Sequence, residues 1–192
     1  LKDCEEELDY LLKNSIKLRT ACDVKYALYY SKGVDSSLIS TYHNFKNKIY
    51  FNDQLNWKKD FVKQIKKIVY HLDFPVGSLS SYPLWKLAEK TKGKNIKVVI
   101  SGEGADEIFG GYVRYMPIYT TWKLKQNFKS YVPLFDKFYS SYLMGFANIT
   151  ARNDDIDFIK KKMRPFFEMF DDPINAMGFF DFKFVMPSLL QM

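Results

Sequence analysis

Val98-Val99-Ile100-Ser101-Gly102-Glu103-Gly104-Ala105-Asp106-Glu107-Ile108-Phe109-Gly110-Gly111-Tyr112 is the stretch on which the reading of the whole chain turns. The apolar run Val98 to Ile100 predicts a short buried strand. It stops at Ser101-Gly102, and Gly104 follows. Glycines so close together let the backbone turn sharply and present N–H groups to a ligand. Glu103, Asp106 and Glu107 then gather three carboxylates just beyond the strand's carboxyl end, where open α/β sheets bind their ligands. Clustered acids with no Lys or Arg among them need water, a cation or a proton. Phosphate together with Mg²⁺ would satisfy both the glycines and the acids.

A second stretch far upstream has matching character. Ala27-Leu28-Tyr29-Tyr30 predicts another strand, Ser31-Lys32-Gly33-Val34-Asp35-Ser36-Ser37 a turn of small residues, and Leu38-Ile39 the helix that follows, starting near Ser36. A helix N-terminus offers free N–H groups and the positive end of a dipole, so anions settle there. The G-x-x-x-x-G-K-[ST] spacing of a Walker A loop is absent. Read alone, Asp35, Ser36 and Ser37 would also serve as ordinary helix-capping residues.

These two stretches together carry a family resemblance. SKGVDSS resembles the SGGxDSS pyrophosphate loop of the N-type ATP pyrophosphatases. SGEGADEIFGGYVRY resembles the second signature of the asparagine synthetase branch of that superfamily. Weaker similarity runs from Asp23-Val24 to Asp181-Phe182-Lys183 and Pro187-Ser188-Leu189-Leu190. The resemblance implies an α/β fold: a small parallel sheet of the adenine-nucleotide α-hydrolase type with an aromatic-rich helical lobe. The expected layout is a leading helix over 1–20, a nucleotide-binding core over 24–112 and the lobe over 113–192. It also implies ATP and Mg²⁺ as cofactors and a small, aspartate-like carboxylate as substrate. The carboxylate attacks the α-phosphate, pyrophosphate leaves, and ammonia then displaces AMP to give an amide. Ammonia would come from a glutaminase domain that these residues do not contain. By the same resemblance Ser31, Gly33, Ser36 and Ser37 cradle pyrophosphate, and Lys32 and Asp35 complete that loop. Ser101 and Gly102 contact the nucleotide, Asp35 and Asp106 hold Mg²⁺, and Glu103 is the catalytic residue, taking a proton from ammonia. β-Lactam synthetases and other amidotransferases share these motifs, so the carboxylate stays unassigned.

Bulk properties fit this reading. The chain has 192 residues, 47% of them apolar and 27% charged, with 18% aromatic. Those values suit one soluble domain of ordinary composition. No apolar run reaches the ~20 residues of a membrane-spanning helix. Cys4 and Cys22 form no metal or redox spacing, and a cytoplasmic setting is expected. The net charge of +7 raises the possibility of nucleic acid. The lysines are spread along the chain, however, and those at 58, 59, 63, 66 and 67 read as the solvated face of a helix, so nucleic acid is not the expected partner. His43 and His71 stand alone and read as structural.

The remaining expectations follow chain order. Leu8, Leu11, Leu12 and Ile16 share one face of a helix over about 5–19. Lys48 to Phe51 predicts a strand, Trp57 to Leu72 a helix, and Pro83 to Thr91 a shorter helix. Asparagine synthetases carry a further helix and strand after the position of Phe51, so about one βα unit is expected to be missing, with cost to the nucleotide-base pocket. The aromatics Tyr115, Ile118, Tyr119, Trp122 and those over 128–143 predict packed helices, and 153–162 and 171–181 helix–loop segments near the surface. Gly110 and Gly111 are expected to act in packing or turns. Lys32 stands where the family has glycine. If the loop needs a positive φ there, a side chain costs about 1–2 kcal/mol. Because the chain opens on Leu1 and stops before the family's later substrate and lysine positions, it is expected to be a piece of a longer protein that does not make asparagine by itself. A catalytically decayed family member and an RNA-modifying pyrophosphatase are the rival readings.

Overall fold

Ala27 and Leu28 have no exposed surface, so β1 (Tyr26–Tyr29) is buried on both faces, as the central strand of a parallel sheet must be. The computed structural model describes residues 1–51, 57–73, 80–125, 161–162, 164–166 and 168–187. β1 lies between β2 (Lys48–Ile49) and β3 (Val98–Ile100), and both pairings are parallel. Leu28 is level with Lys48 on one side and Ile100 on the other. The expected parallel sheet is therefore present, with β1 and β3 as direct neighbours.

Alternation along β1 sends its side chains to two separate clusters. Leu28 and Ile100 pack with Ile16 and Phe45, flanked by Tyr26, Tyr30, Ile39 and Tyr42. Of these partners Ile16 comes from α1 (Lys2–Thr20), and Ile39 and Tyr42 from α2 (Val34–Tyr42). On the other face Ala27 and Ile49 pack with Ile96, and Leu87 of α4 (Ser81–Gly93) covers them. Helices thus lie on both faces, as parallel strands with helical crossovers require. The apolar stripe of α1 reaches the core only at its end. Ile16 is buried, whereas Leu8 and Leu11 stay exposed.

α3 (Trp57–Leu72) follows the predicted range. Its inner face carries Ile68, buried to 1% exposure, and Lys59, Lys63, Lys66 and Lys67 are exposed, as a solvated basic face requires. Asp60 turns inward and accepts a 2.5 Å hydrogen bond from the Tyr82 hydroxyl of α4, with Lys86 3.6 Å away.

The chain divides into two compact units, Leu1–Gly102 and Glu103–Gln191. In the second, α5 (Ala105–Phe109), a 3₁₀ turn (Val113–Tyr115), α6 (Met116–Lys125) and α7 (Pro173–Phe184) are described. Past Tyr112 none of the described residues forms a strand. Tyr115 and Ile118 are buried, as the aromatic helical reading expects; the aromatics at 128–143 and the segment 153–160 lie outside the described residues. α7 corrects one expectation. Asp172 caps it, accepting from the N–H groups of Ile174 at 2.7 Å and Asn175 at 3.1 Å, and Pro173 fills its first turn. It is then a core helix and not a surface segment: Ala176, Met177, Phe180 and Asp181 are all buried. Of the acids in this segment, Asp172 is a cap and Asp181 is paired inside.

Hydrogen bonding from Tyr82, aided by the nearby Lys86, holds the Asp60 carboxyl below its ordinary value, with burial opposing. A depressed carboxyl stabilises the fold above its unfolded pKa of about 3.9 and loses that contribution as pH falls through the folded value. Asp60→Asn is expected to lower stability at neutral pH and to flatten the loss seen below about pH 4. Denaturant unfolding of both forms at pH 7 and pH 3 checks this; equal pH dependence would contradict it.

Candidate active site

The loop after β1 is held by its own serines. Ser31 Oγ accepts the Gly33 N–H at 3.1 Å, which closes a tight turn two residues on. Ser36 Oγ accepts the Ser31 N–H at 3.2 Å and lies 3.0 Å from Ser31 Oγ. Ser36 is buried, whereas Ser31, Lys32 and Gly33 are exposed. Ser37 Oγ lies 3.3 Å from the Tyr30 hydroxyl. The helix begins at Val34 rather than near Ser36. Its N-cap is Gly33, which makes no side-chain hydrogen bond, so Asp35, Ser36 and Ser37 are not its caps. The first N–H groups of α2 have no partner within the helix. A loop of exposed hydroxyls before such an end fits a polyphosphate.

Lys32 occupies the left-handed region, with φ of 66°. The turn closed by Ser31 and Gly33 places it there. Positive φ at this position is the condition under which a lysine costs about 1–2 kcal/mol relative to glycine.

The second loop reaches the first through Gly102. A β-carbon there would lie 2.8 Å from the Asp35 β-carbon and 3.4 Å from the Ser36 backbone nitrogen. Only glycine allows this approach, which follows from β1 and β3 being neighbours. Asp35 is half-buried, as are Ser101 and Gly102.

Beyond Gly102 the acids divide. Gly104 takes φ of 95° and leads into α5. Glu103 is exposed and Asp106 half-buried. Glu107, however, is buried and accepts a 2.6 Å hydrogen bond from the Tyr112 hydroxyl, so it is a structural group. Burial first, and then the Glu107 carboxylate, push the Tyr112 phenol well above its ordinary value, so it stays a donor at any physiological pH. Among the described residues no three His, Cys, Asp or Glu side chains converge as a metal site. A Mg²⁺ held by one or two carboxylates and completed by substrate phosphates needs no such group.

Gly110 and Gly111 have the packing role expected of them. Gly110 takes φ of 68°, and a β-carbon there would lie 2.6 Å from Ile174. At Gly111 it would lie 2.1 Å from Asp106 Oδ1, so the missing side chain is the space that the Asp106 carboxylate uses.

Sequence reasoning missed the support behind this loop. Arg114 pairs at 2.5 Å with the fully buried Asp181, which also accepts from the Tyr115 hydroxyl. An acid inside the aromatic run Gly178-Phe179-Phe180-Asp181-Phe182 was the available signal, since a charge in such a setting needs a partner.

A sequence model described as Asparagine synthase matches residues 52–191. The putative asparagine synthetase [glutamine-hydrolyzing] 2 of Methanocaldococcus jannaschii is 31% identical over 140 residues, covering 58% of this chain and 27% of the relative. Asparagine synthetase B [glutamine-hydrolyzing] of Escherichia coli is 26% identical over 153 residues, covering 58% of this chain and 28% of the relative. In Bacillus subtilis, asparagine synthetase [glutamine-hydrolyzing] 1 is 42% identical over 57 residues, which are 30% of this chain and 9% of the relative. The chain thus spans little more than a quarter of the length of the first two. The 153-residue match to the E. coli protein is longer than the 58% of this chain that it covers, so that protein carries residues with no counterpart here. No solved structure matches the chain.

Lys32→Gly is expected to raise stability by about 1 kcal/mol through relief of the left-handed strain, to leave the fold intact and to strengthen pyrophosphate binding. Denaturant unfolding and calorimetric titration of both forms check this. Weaker binding by the glycine form would mean that Lys32 serves as a phosphate ligand.

Proposed function

Because the chain belongs to the asparagine synthase family, we propose that it provides synthetase-side machinery of an ATP-dependent carbon–nitrogen ligase, built on an N-type ATP pyrophosphatase core. The reaction is activation of an aspartate-like carboxylate with loss of pyrophosphate, followed by displacement of AMP by ammonia. The observation that carries this reading is the close approach of Gly102 to Asp35, which sets the two signature loops side by side at the carboxyl ends of adjacent parallel strands.

Each residue then has a task. The hydroxyls of Ser31, Ser36 and Ser37, the Gly33 backbone and the start of α2 bind the departing pyrophosphate and orient it for in-line attack. Lys32 lies exposed at the rim of that loop. Ser101 and Gly102 lie along the nucleotide. Asp35 in the first unit and Asp106 in the second are the carboxylates that would hold Mg²⁺, which when bound would offset charge developing on the leaving group. Glu103, exposed at the loop's edge, takes the ammonia proton. The carboxylate substrate, and ammonia delivered by a glutaminase domain, complete the set of partners. A cytoplasmic setting goes with this reading, and among the described residues no helix is long and apolar enough to cross a membrane.

A second reading, a family member with a weakened loop, is favoured by the left-handed Lys32 and by the residues lacking relative to the E. coli protein. Calorimetric titration with ATP and Mg²⁺, followed by assay of AMP release with aspartate and ammonium, separates the two. Binding of MgATP that Asp35→Ala weakens at least tenfold, an effect of the size metal-site changes produce, is expected. Binding with little AMP release selects the weakened loop, aspartate-dependent release abolished by Asp35→Ala selects a working synthetase, and no binding contradicts the proposal.

A further inference from the structure

We propose that Asp181 and Arg114 are positioning residues for Asp106, acting through Tyr112 and Glu107, so that α7 sets where the acid loop holds its carboxylates. This rests on the magnesium–polyphosphate reading above.

The links are continuous. Asp181 has no exposed surface and anchors the Arg114 guanidinium at 2.5 Å. That guanidinium lies over the Tyr112 ring, 3.4 Å from its centroid, a separation at which the charge is attracted to the ring face. The Tyr112 hydroxyl donates to Glu107 at 2.6 Å, and Glu107 is the next residue after Asp106 on α5. The backbone is clamped as well. A β-carbon on Gly178 of α7 would lie 2.3 Å from the Glu107 carbonyl oxygen, so the two helices touch main chain to main chain. The Gly111 N–H donates to the Asp106 carbonyl at 3.0 Å, and the Asp106 carboxylate rests against Gly111.

A helix of five residues is too short to hold its own shape in water. What fixes the direction of Asp106 is therefore the packing against α7 and the chain of charged contacts. Charged partners behind a ligand orient it, and their loss costs metal affinity without loss of the ligand itself.

The test uses Tyr112→Phe, which removes one hydroxyl and keeps the ring beneath Arg114, and Asp181→Asn, which removes the buried charge at constant shape. Pyrophosphate binding is titrated with and without Mn²⁺, and amide hydrogen exchange is followed at Ile108 and Gly111 and in β1. Both variants are expected to weaken the Mn²⁺-dependent part of binding by about tenfold or more, to leave metal-free binding within about twofold, and to speed exchange at Ile108 and Gly111 while β1 is unchanged. Should Asp181→Asn fail to fold, Tyr112→Phe decides alone. Parallel loss of metal-dependent and metal-free binding would mean general destabilisation and would overturn the proposal, as would unchanged Mn²⁺ dependence. If the unaltered chain bound no pyrophosphate at all, the nucleotide reading would fail. Exchange at Ile108 and Gly111 would then decide the positioning claim by itself, and unchanged protection there would refute it.

Discussion

The main chain at Gly102 runs so near Asp35 that there is no room between them for a single carbon atom more. Everything at the candidate site depends on that approach. It exists because β1 sits in the middle of the sheet and pairs directly with β3, so two loops that are far apart in sequence leave the sheet side by side. The sheet holds that adjacency only if β1 is sealed from water on both faces. Leu28 and Ile100 with Ile16 and Phe45 seal one face, and Ala27 and Ile49 with Ile96 seal the other. Burial of this kind contributes roughly 1.5–3 kcal/mol per large apolar side chain, and here it holds two polar loops together.

On that platform the two loops differ in how they are made. The first is shaped locally, by Ser31 and Ser36 bonding to one another and to the intervening backbone. Its cost is the left-handed Lys32. The second is shaped from a distance. α5 is short and gains its position from α7, a helix with buried faces of small and aromatic residues around one buried acid. Electrostatics reinforces the arrangement: the Glu107 carboxylate has the Tyr112 hydroxyl, and the Asp181 carboxylate has Arg114 and Tyr115. Glu107 and Asp181 are thereby engaged in structure.

How much of this was legible in the sequence follows from the range of the interactions. β1, α3 and β3 could be read because apolar runs and helical spacing are local signals, and the strand of Val98 to Ile100 fell where Ser101-Gly102 said it must end. The turn between β1 and α2 could be read because small residues between a strand and a helix favour a turn. The start of α2 at Val34 was missed by two residues, since Gly33 proved to be the cap rather than the hydroxyl residues after it. The role of Glu107 was invisible. In sequence it is one of three acids, and only Tyr112 folded back upon it separates it from the other two. α7 was misread for a related reason: Arg114, the partner of Asp181, lies 67 positions away, beyond the reach of any pattern in a window.

The proposed phosphate site joins the loop after β1 to Ser101 and Gly102 at the end of β3. Residue-resolved NMR of the amide signals during titration with magnesium pyrophosphate tests it most directly. The signals of residues 31–37 and of Ser101 and Gly102 are expected to shift together, with one common affinity, while those of the basic face of α3 at Lys59, Lys63, Lys66 and Lys67 stay in place. Shifts concentrated on those lysines, or a response of the first loop that leaves Ser101 and Gly102 unmoved, would contradict it.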